Sequence, residues 1–230
     1  MTWVVVLTVA LAGAALSFEW HGVPGAAFWF WLAACAAGET MWFRLPAGGA
    51  TLSMAACFNL AAVLVLPVHE AMLATALASL AVETLVMRKP PVRGLYNASH
   101  TALAAWAGAS AARLFGDGAA GPAWLWAALA AALAWYAVNR AAVTLAVAVH
   151  GGGGLAAAWR ENFGGPREAL YAGGVLSLGL LLGLNTRSFG AAGVLLVALP
   201  LILAFDGYRR FVGRRRTGAV PGRPSTRQAA

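Results

Sequence analysis

Long apolar stretches separated by short polar breaks run through almost the whole chain. They fall at residues 2–17, 23–38, 52–67, 70–87, 96–115, 122–149, 168–185 and 189–207, most of them within or near the roughly 17–25 residues that a membrane-spanning helix needs. The pattern predicts an all-α, polytopic transmembrane bundle of about eight spans. The first two runs are the shortest, with only Phe18 to Gly22 between them. A hairpin that stops short of the far face, and a total of six or seven spans, is therefore the alternative. Pro90 and Pro91 bar a helix through the middle of the fourth connection, and Gly116 to Pro122 reads as a turn punctuated by Gly and Pro. Four glycines after His150 resemble a flexible joint; the Lys and Ser/Thr that would make them a phosphate loop are missing. Beyond Phe211 the chain becomes rich in Arg, Pro, Gly and Ser, so a helical domain over 1–210 is expected to be followed by a basic, disordered tail over 211–230.

Composition supports lipid as the solvent. Of the 230 residues 61% are hydrophobic and 10% charged, against about 25% charged in soluble domains, and a water-soluble fold of this length has too little interior to hide that apolar surface. The net charge of +8 is concentrated, much of it in the tail from Arg209 to Arg227. That distribution argues against nucleic-acid binding and for a cytoplasmic terminus beside the bilayer. Arg88, Lys89 and Arg93 form the densest internal basic cluster. Placing their loop inside and alternating the spans brings Arg44, Arg160, Arg167 and the tail inside as well, while only Arg113 and Arg187 approach the outer face. Both termini are then cytoplasmic, in a bacterial-type inner membrane. The N-terminal run has signal-peptide length but no preceding Lys or Arg, so it reads as a retained first span. Cys35 and Cys57 sit in apolar segments without CxxC spacing and read as packing residues.

Ionisable groups in hydrocarbon cost about 2.5 to 3.5 kcal/mol each at mid-helix on insertion scales, so their positions carry the functional signal. Glu39 closes the second segment and Asn59 lies midway along the third. Glu83 precedes the basic loop, Asn97 and His100 share a helix face just after it, and Asn139 and Arg140 lie deep in the sixth segment. In this topology the layer formed by Glu39, Glu83, Asn97, His100, Asn139 and Arg140 falls in the cytoplasmic half of the bilayer. With Asn59, these residues are the candidate lining of a site for a small polar ligand. The structural alternative is that Glu83 and Arg140 neutralise one another while the amides and His100 join helices, at about 0.6 kcal/mol per interhelical hydrogen bond. His69-Glu70 lacks the second His of a zinc motif, since position 73 is Leu. It reads as a helix-start carboxylate. No catalytic triad, carboxylate pair or metal cluster can be assembled, so neither catalytic residues, a metal nor a cofactor is expected, and the chain is not read as an enzyme. Gly179 and Gly183, with Gly173 and Gly174 before them, form a small-residue stripe suited to packing against a neighbouring helix or a second subunit.

The order of features resembles a known signalling module. Glu39 at a helix end, LPAGGATLSMAACFNLAAVLVLP, the basic loop with GLYNASHTALAAWAG, Asn139 in the sixth span and VLLVALPLILAF with Pro200 are similar to the multispan sensor region N-terminal to bacterial HD-GYP and GGDEF proteins, over about positions 35 to 210. The resemblance implies a membrane sensor with Glu39, Asn97 and Asn139 as its matching polar positions. The output domain is absent from this chain, so its catalytic function does not carry over. GGATLSMAACFNLAAVLVLP also looks like the substrate-binding subunit of energy-coupling-factor vitamin transporters, which implies partner ATPases. The expectation is thus a stand-alone sensory module in contact with the lipid bilayer, a small polar ligand and a cytoplasmic signalling partner, with a homo-oligomer as one arrangement. The alternative is a subunit of a small-molecule transporter working with an ATPase partner.

Overall fold

A single short helix, α3 (Ala55–Val65), sits at the centre of the bundle and is buried on nearly every side. Its sequence AACFNLAAVLV is apolar all round apart from Asn59, the pattern of a helix surrounded by protein. The computed structural model describes residues 2–44, 51–116 and 121–217. Before α3 come α1 (Thr2–Glu19), α2 (Ala26–Thr40) and a small antiparallel hairpin, β1 (Trp42–Arg44) with β2 (Thr51–Ser53). The hairpin pairs Trp42 with Ser53, Phe43 with Leu52 and Arg44 with Thr51. After α3 come α4 (Val68–Ala81), whose last turn widens into a π-helical segment (Val82–Val86), then α5 (Pro91–Arg113), α6 (Pro122–Gly151), α7 (Leu155–Phe163), α8 (Pro166–Phe189) and α9 (Ala191–Thr217). Cys35 and Cys57 are free thiols in the core.

Apart from that hairpin the described chain is helical, and four stretches are long and apolar enough to cross a membrane: Thr2–Glu19, Val68–Val86, Pro122–Gly151 and Glu168–Phe189. The expected eight segments all become helical, but not all reach that length. At 1.5 Å per residue α3 extends only about 16 Å and α2 about 22 Å, against a hydrocarbon core of about 30 Å. Pro67, just after the C-cap Leu66, cannot continue α3. On the other side Ser53 clasps its start, accepting the Ala55 N–H at 3.1 Å and donating to the Gly38 carbonyl at 3.4 Å. Non-helical backbone at this depth is tolerated where protein encloses it.

The outside of the bundle is apolar, as lipid requires. Leu133 on α6 and Leu196 on α9 are 68% and 66% exposed. The inside is alanine-rich, with Ala104, Ala105, Ala128 and Ala131 fully buried where α5 meets α6, so the two backbones approach closely. Three buried hydroxyls satisfy themselves within their own helices: Thr75 donates to Ala71 O at 2.9 Å, Ser99 to Leu95 O at 2.8 Å and Thr101 to Asn97 O at 2.7 Å. They ask nothing of a ligand.

Two connections depart from expectation. The glycine run after His150 terminates α6, with Gly152 in the left-handed conformation at φ 68°, a helix-ending geometry that suits glycine. The chain then folds into α7 instead of staying an open joint. The basic tail expected from 211 begins as helix, because α9 continues to Thr217; residues 218–230 lie outside the described residues, as do Asp117 in the Gly116 to Pro122 turn and the LPAGGA stretch at 45–50. Pro200 lies inside α9.

Candidate functional site

The residues that build the site are brought together by one unusual turn. After the π-helical segment, where Met87 N–H bonds back to Val82 O at 2.8 Å, Arg88 adopts φ 53° and the chain reverses. Lys89 N–H then donates to Glu83 O at 2.9 Å, and Pro91 takes the first position of α5, where its missing N–H costs nothing. The reversal folds the Lys89 side chain onto Glu83. Its ammonium donates to Glu83 Oε1 at 2.5 Å, and Asn97 Nδ2, from the start of α5, lies 2.6 Å from both carboxylate oxygens. Glu83 is 6% exposed, and a carboxylate so buried needs these charge-assisted bonds.

The expected Glu83–Arg140 pair does not form. Arg140 instead pairs with Glu168 of α8, and its guanidinium lies over the rings of Tyr136, 5.1 Å to centroid, and Phe163, 4.5 Å. Tyr136 completes the group by donating to Glu168 Oε2 at 3.1 Å. Glu168 is within reach because α7 folds the connection back against α6 and leaves the first turn of α8 beside Arg140, while the rest of α8 runs along α3. Charge patterning alone showed Arg140 needing an acid; it did not show which of two acids the backbone would deliver.

Between these two ion pairs lies a cavity of about 800 Å³. All seven residues singled out from the sequence border it: Glu39 from the end of α2, Asn59 from α3, Glu83 from the π-helical turn, Asn97 and His100 from α5, and Asn139 and Arg140 from α6. Exposed Arg93 and Glu161 lie on its rim. Sequence reading missed Trp135, Tyr136, Glu168 and α7. The first could have been found, since Trp135 precedes Asn139 by four residues and so shares its helix face.

Three fully buried polar atoms of the wall lack partners among the described residues. Asn59 Oδ1, Trp135 Nε1 and Arg140 Nε are buried atoms with no hydrogen-bond partner among the described residues, and all three residues border the cavity. Asn59 and Trp135 are 3% and 4% exposed. Leaving such a group unmade costs about 1 to 3 kcal/mol. His100 places Nδ1 3.2 Å from the Tyr96 carbonyl, which can only accept, so Nδ1 carries a proton, and when the ring is neutral Nε2 is an acceptor. Comparison with known protein families, curated proteins and solved structures finds no match to this chain.

The opposite end of the bundle carries closed clasps. Glu19, 4% exposed, accepts from Arg113 Nη2 at 2.7 Å and Trp106 Nε1 at 3.2 Å, tying α1 to α5. Glu70 accepts the Gly25 N–H at 3.0 Å. The expected helix-start carboxylate thus also holds the beginning of α2. Among the described residues no three His, Cys, Asp or Glu side chains converge as metal ligands.

Proposed function

We propose that this chain is a membrane-embedded receptor module that binds a small polar molecule in the cavity between α3, α5, α6 and the π-helical turn, and passes the event to a partner protein. The observation that carries the reading is the set of three buried, unpartnered polar atoms, on Asn59, Trp135 and Arg140, around one space of about 800 Å³. Ligand pockets typically run from about 300 to 1,000 Å³, and a fold that only needed helix glue had no reason to leave these atoms unpaired. With the Arg88 to Arg93 loop on the cytoplasmic side, an even number of crossings would bring both termini and the mouth of the cavity to that side, in keeping with the distribution of positive charge. The resemblance to sensor regions preceding HD-GYP and GGDEF domains agrees with a signalling role through a separate output protein.

The short α3 and the hairpin before it favour a second reading, a transport subunit, because interrupted helices build substrate sites in many transporters. Such a subunit would require an ATPase partner for uptake; a sensor would alter a partner's activity without moving its ligand.

Native mass spectrometry of the purified protein tests the binding reading, with Asn59→Leu as the control. A bound small molecule is expected with the wild type and not with the variant. In the absence of ligand Asn59→Leu is expected to be the more stable protein by about 1 to 3 kcal/mol, because it removes a buried unsatisfied group. A variant less stable than wild type, with no adduct on either protein, would leave Asn59 as a packing residue.

A further inference from the structure

The cavity wall is divided in its hydrogen-bonding character. On the side of α2, α3 and α5 it offers acceptors: the carboxylate of Glu39, which makes no hydrogen bond or ion pair with the described residues, Asn59 Oδ1, and His100 Nε2. On the side of α6 the buried unpartnered atoms are donors, Trp135 Nε1 and Arg140 Nε, beside the Asn139 amide, which can donate or accept. Carboxylate is also in excess. Glu39, Glu83, Glu161 and Glu168 border the cavity against the guanidiniums of Arg93 and Arg140, with the Lys89 ammonium added only through its bond to Glu83. That bond is itself informative, since the chain's own alkylammonium group occupies one carboxylate of the wall while Glu39, on the same cavity, has no such partner among the described residues.

Resting on the receptor reading above, we infer that the ligand is an amine: an ammonium head received by Glu39, Asn59 and His100, joined to an acceptor group, carbonyl or carboxylate, received by Trp135 and Arg140. Glu83 has the Lys89 ammonium as its counter-charge whereas Glu39 forms no ion pair with the described residues, and a ligand ammonium beside Glu39 supplies one. The acceptor end settles against the two free donors of α6, and the aromatic faces of Tyr136 and Trp135 suit the carbon chain between the ends. Lys89 is then the internal competitor of the ligand. A bound ammonium reduces the hold of Glu83 on Lys89, and Lys89 belongs to the basic loop that faces the aqueous side.

The test uses three probes of equal chain length: cadaverine, delta-aminovalerate and glutarate, titrated against the full chain in nanodiscs while thermal stability and affinity are read. Delta-aminovalerate is expected to raise the melting temperature most, cadaverine less because its second ammonium meets the donors of Trp135 and Arg140, and glutarate to leave it unchanged. Glu39→Gln, which removes a carboxylate that makes no hydrogen bond or ion pair with the described residues, is expected to melt no lower than wild type without probe and to weaken delta-aminovalerate by about tenfold or more. Asn59→Asp, an acceptor only, is expected to hold the amines at least as well as wild type, whereas Asn59→Leu loses them. Lys89→Met is expected to be stabilised by cadaverine more than wild type is, since the probe replaces the lost ammonium. Stabilisation by glutarate with none by the amines overturns the assignment of the head group but leaves the cavity as a binding site. No response to either amine overturns the assignment too, and the adduct experiment then decides separately whether the cavity binds anything.

Discussion

Lys89→Met is expected to lower the unfolding free energy by about 3 to 5 kcal/mol, the cost of leaving a buried charge without its partner. Glu83→Gln is expected to cost distinctly less. The asymmetry follows from burial: the Glu83 side chain is 8% exposed and that of Lys89 28%. Without Lys89 the carboxylate keeps only Asn97 and the little solvent that its 8% exposure to the cavity admits. Without Glu83 the ammonium, on a long flexible stem, can turn to the aqueous side. The double variant Lys89→Met with Glu83→Gln is expected to recover most of the loss, as measured by reversible unfolding in mixed micelles. Equal costs for the two single changes, with no recovery in the double, would mean that the pair does not clasp the loop. In the same assay Arg140→Gln should couple to Glu168→Gln and be additive with Glu83→Gln.

Gly179→Val is expected to cost about 3 kcal/mol, at the upper end of what overpacking does. A Cβ at position 179 would stand 2.9 Å from the Cys57 carbonyl oxygen and 3.1 Å from Leu60 Cβ. The first neighbour is backbone of the central helix and cannot swing aside, so α8 would have to move away from α3. Because α3 carries Asn59 and α8 carries Glu168, the displacement should also weaken ligand binding. Gly173→Val, on the same helix with nothing within 4 Å of its added Cβ, is expected to be far milder. Equal effects at the two positions would show that backbone conformation, and not close approach to α3, sets the cost.

The helices were legible because lipid permits few alternatives: a backbone in hydrocarbon must satisfy itself, and apolar runs therefore become helices. The convergence of Glu39, Asn59, Glu83, Asn97, His100, Asn139 and Arg140 was legible for the same reason, since polar side chains among lipid-facing helices have only the interior to turn to. What the sequence hid depends on distances across the fold. Glu83 pairs with Lys89 because a π-helical segment and a left-handed Arg88 reverse the chain, and neither leaves a mark in hydropathy. Arg140 pairs with Glu168 because the glycines after His150 end one helix and start another where a flexible joint was expected. The depth of α3 was hidden too: a sixteen-residue apolar run at 52–67 looks almost long enough to span, yet a strand at one end and Pro67 at the other leave an 11-residue helix. The small-residue stripe on α8 was legible, but its partner is α3 of the same chain at Gly179 and Gly183 only; Gly173 and Gly174 meet nothing within 4 Å.

The central claim is that water, and not lipid or packed protein, fills the space these side chains enclose. Cysteine labelling in membrane vesicles measures that directly, with Cys35 and Cys57, both 0% exposed, as a silent background. Asn139→Cys on the cavity wall is expected to react with a membrane-impermeant, charged thiol reagent applied from the side of the Arg88 to Arg93 loop, and to be protected by a bound ligand. Leu133→Cys, on the same helix and 68% exposed to the bundle exterior, is expected to stay unmodified because acyl chains surround it. A reactive position 133 with an inert position 139 would contradict the account.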